Sequence, residues 1–244
     1  MTTIAENFAQ VQNRIEAAAA RAERPPSSIT LIAVTKTWPV AVLLDAYHAG
    51  MRHFGENRTH ELAQKRSALA TEFGPDNNII WHQIGTLQSR QTNVAADNAD
   101  IFHALDRLKI ARRLSDQLTK NGRTLSTFLE INISGESQKS GFAVSNWEED
   151  ATQRAELRKA VTEIAGMPGL TICGLMTMAP WDVSEDLIRS VFRRTRQLTH
   201  WLQAEFPDEN FSQLSMGMTD DFEIAIEEGA THIRVGRAIF GSRQ

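Results

Sequence analysis

Eight short apolar runs, each followed by a helix-length segment, constrain this 244-residue chain more than any other feature. The runs are TLIAVTK (30–36), RHFGEN (52–57), IIWHQIG (79–85), DIFHALD (100–106), TFLEINIS (127–134), LTICGLMTMAP (170–180), SQLSMGMT (212–219) and HIRVGRAIFG (232–241). Between them, helix patterns are predicted over 39–48, 58–72, a short piece after the third run, a stretch through Lys120, 146–165, 184–205 and 221–229, the last closed by Gly229. A longer loop, GESQKSGFAVSN, precedes the helix at 146. Ahead of the first run, MTTIAENFAQVQNRIEAAAARAERPP reads as an amphipathic helix stopped by Pro25 and Pro26.

Strands separated by helices are parallel βαβ units. Parallel strands are covered on both faces, which accounts for apolar runs without strict alternation. Repeated right-handed crossovers close such a sheet on itself. The main rival, an open doubly wound sheet, would carry a glycine-rich fingerprint after its first strand. Here the first run is followed by Lys36-Thr37-Trp38-Pro39, with no G-x-G-x-x-G. The predicted fold is therefore α/β: a single (β/α)8 TIM barrel with an extra N-terminal helix, one domain over 1–244, with no linker or composition shift.

The net charge of −4, from 26 basic and 30 acidic residues, offers no basic excess for nucleic acid. Arg189, Arg193, Arg194 and Arg196 crowd one helix and read as a solvated face. The only cysteine, Cys173, cannot form an internal disulfide; it reads as a buried small hydrophobe in a reducing, cytoplasmic setting. No stretch has the length of a membrane span, and the N-terminus lacks the pattern of a signal peptide.

Chemistry in such a barrel belongs at the C-terminal ends of the strands. Lys36 stands there, closing the first run, whereas Lys65, Lys109, Lys120 and Lys159 fall on helix patterns and are expected in solvent, and Lys139 falls in a loop. A lysine partly desolvated at a barrel mouth has a lowered pKa, and its neutral amine attacks aldehydes. The alternative is a lysine snorkelling to the rim. The segment SMGMTDDFEIAIEEG places a glycine turn before a helix, as a phosphate site does, with Gly236-Arg237-Ala238 opposite it. Alternatively Thr219 or Asp220 caps the helix and the glycines only make turns. Arg234, inside an apolar strand, needs a partner: a cofactor ring nitrogen, a carboxylate, or a barrel acid such as Glu130. His82 reads as a hydrogen-bonded residue rather than a base. Glu56 and Asn57 either orient a ligand or satisfy a loop. Met176 and Met178 share a strand face and read as barrel filling. No His, Cys, Asp and Glu spacing suits a metal.

VTKT, FGEN, WHQIGTLQS, the LDR of the fourth run, INISGESQKSG, GLMTMA and LSMGMTDDFEIAIEEGATHIRVGRAIFG occur in this order across 30–241. This ordered set resembles the pyridoxal phosphate homeostasis protein family, itself similar to the N-terminal barrel of alanine racemase. The resemblance implies pyridoxal 5′-phosphate (PLP) held as a Schiff base on Lys36. It also implies phosphate contacts from Ser215, Met216 and Gly217, further amides near Gly236 and Arg237, and Arg234 opposite the pyridine nitrogen. Asn57, His82 and Met176 match positions that line the pocket. The chain departs from the family at Gln88-Ser89-Arg90-Gln91, where Gln-Ser-Asn-Lys is usual, and at Thr86, where proline is frequent. Those changes are expected on the rim.

Alanine racemases need a second base, a tyrosine from a separate β-domain. The chain ends at Gln244, shortly after the last run, and its one tyrosine, Tyr47, falls in the first barrel helix. An arginine opposite the pyridine nitrogen weakens the cofactor as an electron sink. The expected role is thus intracellular PLP (vitamin B6) homeostasis: binding, buffering and delivery to PLP-dependent apoenzymes, with no dedicated catalytic activity. The alternatives are a PLP-dependent racemase or lyase of low activity using Lys36 and His82, and a phosphosugar aldolase or isomerase without PLP.

Overall fold

Helix α1 (Ile4–Arg21) begins at a reciprocal capping box, in which the Thr3 side chain accepts from the Glu6 amide and the Glu6 carboxylate accepts from the Thr3 amide. In the computed structural model, which describes residues 2–241, this helix lies across the foot of the barrel's last helices. Arg14 pairs with Glu223, Arg21 with Glu227, and the Asn7 side chain donates to the Ile239 carbonyl. Met1 and 242–244 lie outside the described residues, so the predicted domain end at Gln244 does too.

The alternation read from the sequence is present. The strands are β1 (Thr30–Val34), β2 (His53–Glu56), β3 (Ile80–Gln83), β4 (Ile101–Leu105), β5 (Leu125–Asn132), β6 (Phe142–Ala143), β7 (Leu170–Met176), β8 (Gln213–Ser215) and β9 (His232–Val235). Between them run α2 (Val40–His48), α3 (Thr59–Phe73), α4 (Thr92–Asn98), α5 (Leu108–Asn121), α6 (Ala151–Ala165), α7 (Glu185–Glu205), α8 (Phe222–Glu227) and a last turn, α9 (Arg237–Phe240). The pairings are parallel and pass from β1 through β2, β3, β4, β5, β7 and β8 to β9, which returns to β1 with Leu31 opposite Ile233. Eight strands thus form a closed parallel (β/α)8 barrel, and β6 is a two-residue addition beside Asn132, inside the long loop after β5.

Two local expectations change and one gains detail. The eighth predicted run does not stay extended to 241: the strand ends at Val235 and 237–240 turn into a helix. The arginines of α7 keep the partly exposed face expected of them and are in addition ion-paired, Arg189 and Arg193 on Glu228 and Arg194 on Glu148. Lys65 is not in solvent. Although it falls on a helix, its face turns inward against the barrel wall and its side chain is 6% exposed. A buried ammonium persists only with partners, and Lys65 has the Glu56 carboxylate at 2.7 Å and the Thr35 carbonyl at 2.9 Å. Cys173 is buried, and burial pushes its thiol up to about 12, which leaves it inert as a nucleophile. No helix among the described residues is long and apolar enough to cross a membrane.

Candidate functional site

At the C-terminal ends of the strands a cavity of about 560 Å³ opens. Its wall includes Lys36 after β1, Asn57 after β2, Glu130 on β5, Met176 on β7 and Arg234 on β9, with Gly236 and Arg237 beyond β9. Six of the ten residues singled out in the sequence therefore meet around one space. Gly236 comes within 3.4 Å of the Val34 carbonyl at the position a Cβ would take, so a larger residue there would press on β1.

Lys36 lies two residues past the end of β1, in a turn rather than on the strand itself, and is half-buried. Arg234 is almost wholly buried and donates to the Thr177 carbonyl at 2.9 Å. Its partner is thus a main-chain oxygen rather than Glu130. Burial pulls its pKa down to about 10, opposed by the charges of Asp221 and Glu130. Glu130 is 3% exposed, and its Oε2 has no hydrogen-bond partner among the described residues. Burial, then the nearby Asp106, pushes its carboxyl up to about 7, against the pull of Arg234 and Arg107. A cation and a carboxyl buried on one wall, with an orphaned oxygen between strands, mark a space built for a polar ligand.

The remaining four predicted residues lie behind that wall. His82 is fully buried, with Nε2 3.0 Å from His53 Nδ1 and Nδ1 2.8 Å from His103 Nε2. His103 Nδ1 in turn lies 2.8 Å from Ser215 Oγ. Side chains from β2, β3, β4 and β8 can meet in one line only in the barrel lumen. His82 is accordingly a paired core residue, as its strand position suggested, and the pocket role implied for it by resemblance is not reflected in the lining. Ser215 and Met216 are buried. Gly217 has φ +95°, and a Cβ there would fall 2.6 Å from Ala225 Cβ, so only glycine lets the loop after β8 fold against α8. The cavity is instead faced by the next residues, Met218, Thr219 and Asp220. Helix α8 begins at Phe222 without a side-chain cap, and the Asp221 carboxylate instead accepts from the Met218 amide of the preceding loop at 2.5 Å.

Sequence reasoning passed over Glu130 as a pocket residue, although an acid within TFLEINIS carries the same signal as Arg234 within HIRVG. It also missed Trp181, 72% exposed at the rim with the Arg237 guanidinium 5.6 Å from its ring, and Arg237 is ion-paired with Asp220. Thr86, one of the departures noted above, does line the cavity, as expected of a rim position.

Residues 6–244 match the family of the alanine racemase N-terminal domain. The pyridoxal phosphate homeostasis protein of Pseudomonas aeruginosa is 41% identical over 243 residues, covering 100% of this chain and 97% of that protein. That of Escherichia coli strain K12 is 40% identical over 247 residues, with 100% and 98% covered. This chain belongs to the pyridoxal phosphate homeostasis protein family. Among solved members of that fold, PipY of Synechococcus elongatus, in a structure with PLP bound, superposes with a TM-score of 0.80 at 32% identity, covering 98% of this chain and 100% of that one. The alanine racemase of Streptomyces coelicolor superposes with a TM-score of 0.66 at 15% identity over 58% of its length, a likeness of fold. The homeostasis family and the racemase thus share the barrel.

Proposed function

We propose that the cavity holds PLP as a Schiff base on Lys36, and that this single domain serves cytoplasmic PLP homeostasis by buffering the cofactor and handing it to PLP-dependent apoenzymes. The observation that carries the reading is one wall on which Lys36, Arg234 and the orphaned Glu130 carboxyl converge. The cofactor supplies a reactive aldehyde that condenses reversibly with amines. Lys36 would supply the amine, Arg234 would face the ring nitrogen, and Asn57 and Met176 would bound the ring. The main chain of the Ser215-Met216-Gly217 loop, with the amides near Gly236 and Arg237, would take the phosphate. The PLP bound by PipY supports that occupant.

Buffering rather than turnover is supported by the place of the only tyrosine. Tyr47 lies on α2, stacked on Phe73 at 4.0 Å with its hydroxyl donating to the Asn77 carbonyl, and does not line the cavity. His82, the base a low-activity racemase or lyase would use, has both ring nitrogens paired within the core.

The test is the absorbance of the purified protein with added PLP, before and after borohydride, followed by mass mapping of the modified peptide. A visible imine band, lost in Lys36→Ala, with the reduced adduct on Lys36, is the expected result. A colourless protein that takes up no PLP overturns the reading. Rapid exchange of the α-proton of L-amino acids in deuterated water would replace the carrier by an enzyme.

A further inference from the structure

The backbone around Lys36 is held in a way the cavity alone does not require. Thr35, Lys36, Thr37 and Trp38 form a tight turn closed by the Trp38 amide on the Thr35 carbonyl at 3.0 Å. Thr37, at the third position, has φ +70°. Turns with that conformation take glycine or asparagine at this position, because a β-branched side chain is strained there. Four described non-glycine residues have positive φ, namely Glu23, Thr37, Asn78 and Asp182, and Thr37 is the β-branched one.

Helix α3 grips both sides of this turn. Glu61 Oε2 accepts from the Thr37 amide at 2.9 Å. One helical turn on, Lys65 Nζ donates to the Thr35 carbonyl at 2.9 Å. That ammonium is also bound by Glu56 Oε1 at 2.7 Å, and the Thr35 hydroxyl donates to the same oxygen at 2.6 Å. Glu61 and Lys65 themselves approach to 3.4 Å, so the two grips form one unit. The peptide groups on either side of Lys36 are thus fixed by charged side chains that are not part of the cavity wall.

We propose that Glu61 and Lys65 are positioning residues for the Lys36 amine: through the Thr37 amide and the Thr35 carbonyl they hold the turn in its strained form and so aim the amine into the cavity. The proposal rests on the reading of Lys36 as the Schiff-base residue. In this arrangement the strain at Thr37 is maintained by the contacts of α3, and the lysine samples fewer directions than a relaxed turn would allow.

The test is a double-mutant cycle on the full chain, read by PLP uptake and by the rate of appearance of the imine band. Glu61→Ala removes the acceptor for the Thr37 amide and is expected to weaken uptake about tenfold, the scale of one strained residue released. Glu61→Gln keeps an acceptor oxygen and is expected to restore most of the loss. Thr37→Gly tolerates positive φ unaided, so combining it with Glu61→Ala is expected to suppress the loss, whereas a role for Glu61 only in helix stability leaves the two effects additive. Additivity, or uptake by Glu61→Ala equal to wild type while Lys36→Ala has lost the band, overturns the clamp alone. An imine band that persists in Lys36→Ala overturns the assignment of the lysine and the clamp with it. Lys65→Met is a weaker probe because it strands Glu56 in the wall, where a failure to fold would look the same.

Discussion

The inside of this barrel contains two polar regions, a column of histidines in the lumen and the wall of the mouth cavity. In the column, His53, His82, His103 and Ser215 occupy one another's hydrogen-bonding atoms, His103 stacks on Phe128 at 4.5 Å, and His232 Nδ1 lies 2.9 Å from Thr231 Oγ1. Burial, then the neighbouring rings, holds His82 and His103 well below the usual range, and burial with His53 takes His232 down to about 4. They are neutral and satisfied. In the mouth, Arg234 keeps its charge with one main-chain acceptor, and Glu130 keeps an orphaned oxygen. A buried polar group with its partners present explains itself as structure; one without them that also faces a cavity leaves room for a ligand to supply the partner. The difference separates core from site more sharply than residue type does, since histidine is the residue more often suspected of chemistry.

The largest test of the contrast is Arg234→Ala. Removing the guanidinium leaves two carboxyls and the Thr177 carbonyl without their cation, and the cofactor without its ring contact. PLP retention is expected to fall roughly 100-fold, or about 3 kcal/mol, while the imine still forms on Lys36. Equilibrium dialysis of the coenzyme measures this. Unchanged retention would mean that Arg234 serves the fold alone, and the mouth would then resemble the column.

Next in size is a difference of pH slope. Glu130 has a folded pKa of about 7 against an ordinary 4.5, so between those values the folded protein binds a proton that the unfolded chain has lost. Its favourable contribution is complete below pH 4.5 and is lost as pH rises through 7. The column behaves oppositely: its histidines are lowered, so the folded state resists protonation and stability is lost as pH falls from 6.5 toward 4. Glu130→Gln, without PLP, is expected to match wild type near pH 4 and to exceed it by roughly 2–3 kcal/mol at pH 8. Urea midpoints across that range decide it, and equal midpoints at pH 8 would show that the orphaned carboxyl carries no penalty.

How far the sequence disclosed these regions follows from the same physics. The barrel was legible because alternating strands and helices repeat a period that only a closed or doubly wound parallel sheet satisfies, and the missing glycine fingerprint chose between them. Lys36 and Arg234 were legible as charges in or beside apolar runs. Lys65 was not, because a helix pattern does not reveal which charged residue on a mixed face turns inward to meet Glu56. His82 and Ser215, site residues by resemblance, lie outside the lining of the cavity; strand alternation in a barrel puts inward residues either at the mouth or in the lumen, and only depth along the strand distinguishes them. Sequence spacing carries no measure of that depth when neighbouring strands are staggered, as the register shift between Phe102 and Leu105 shows.

The smallest expected effect probes the boundary between the two regions, which runs through Ser215. His103→Leu leaves His82 Nδ1 and Ser215 Oγ without their partner and exchanges a ring stacked on Phe128 for an aliphatic side chain. A cost of about 2 kcal/mol in stability, the low end for two neutral groups left unpaired, is expected. Because the column does not face the cavity, PLP retention is expected to stay within about twofold of wild type once the loss of stability is accounted for. Parallel measurement of urea midpoint and dialysis on the same preparation separates the outcomes. If retention instead falls by about tenfold or more, the hydroxyl that His103 orients reaches the phosphate. The column would then be the buried support of the phosphate loop, and the sharp division between satisfied core and waiting site would give way to one continuous polar network.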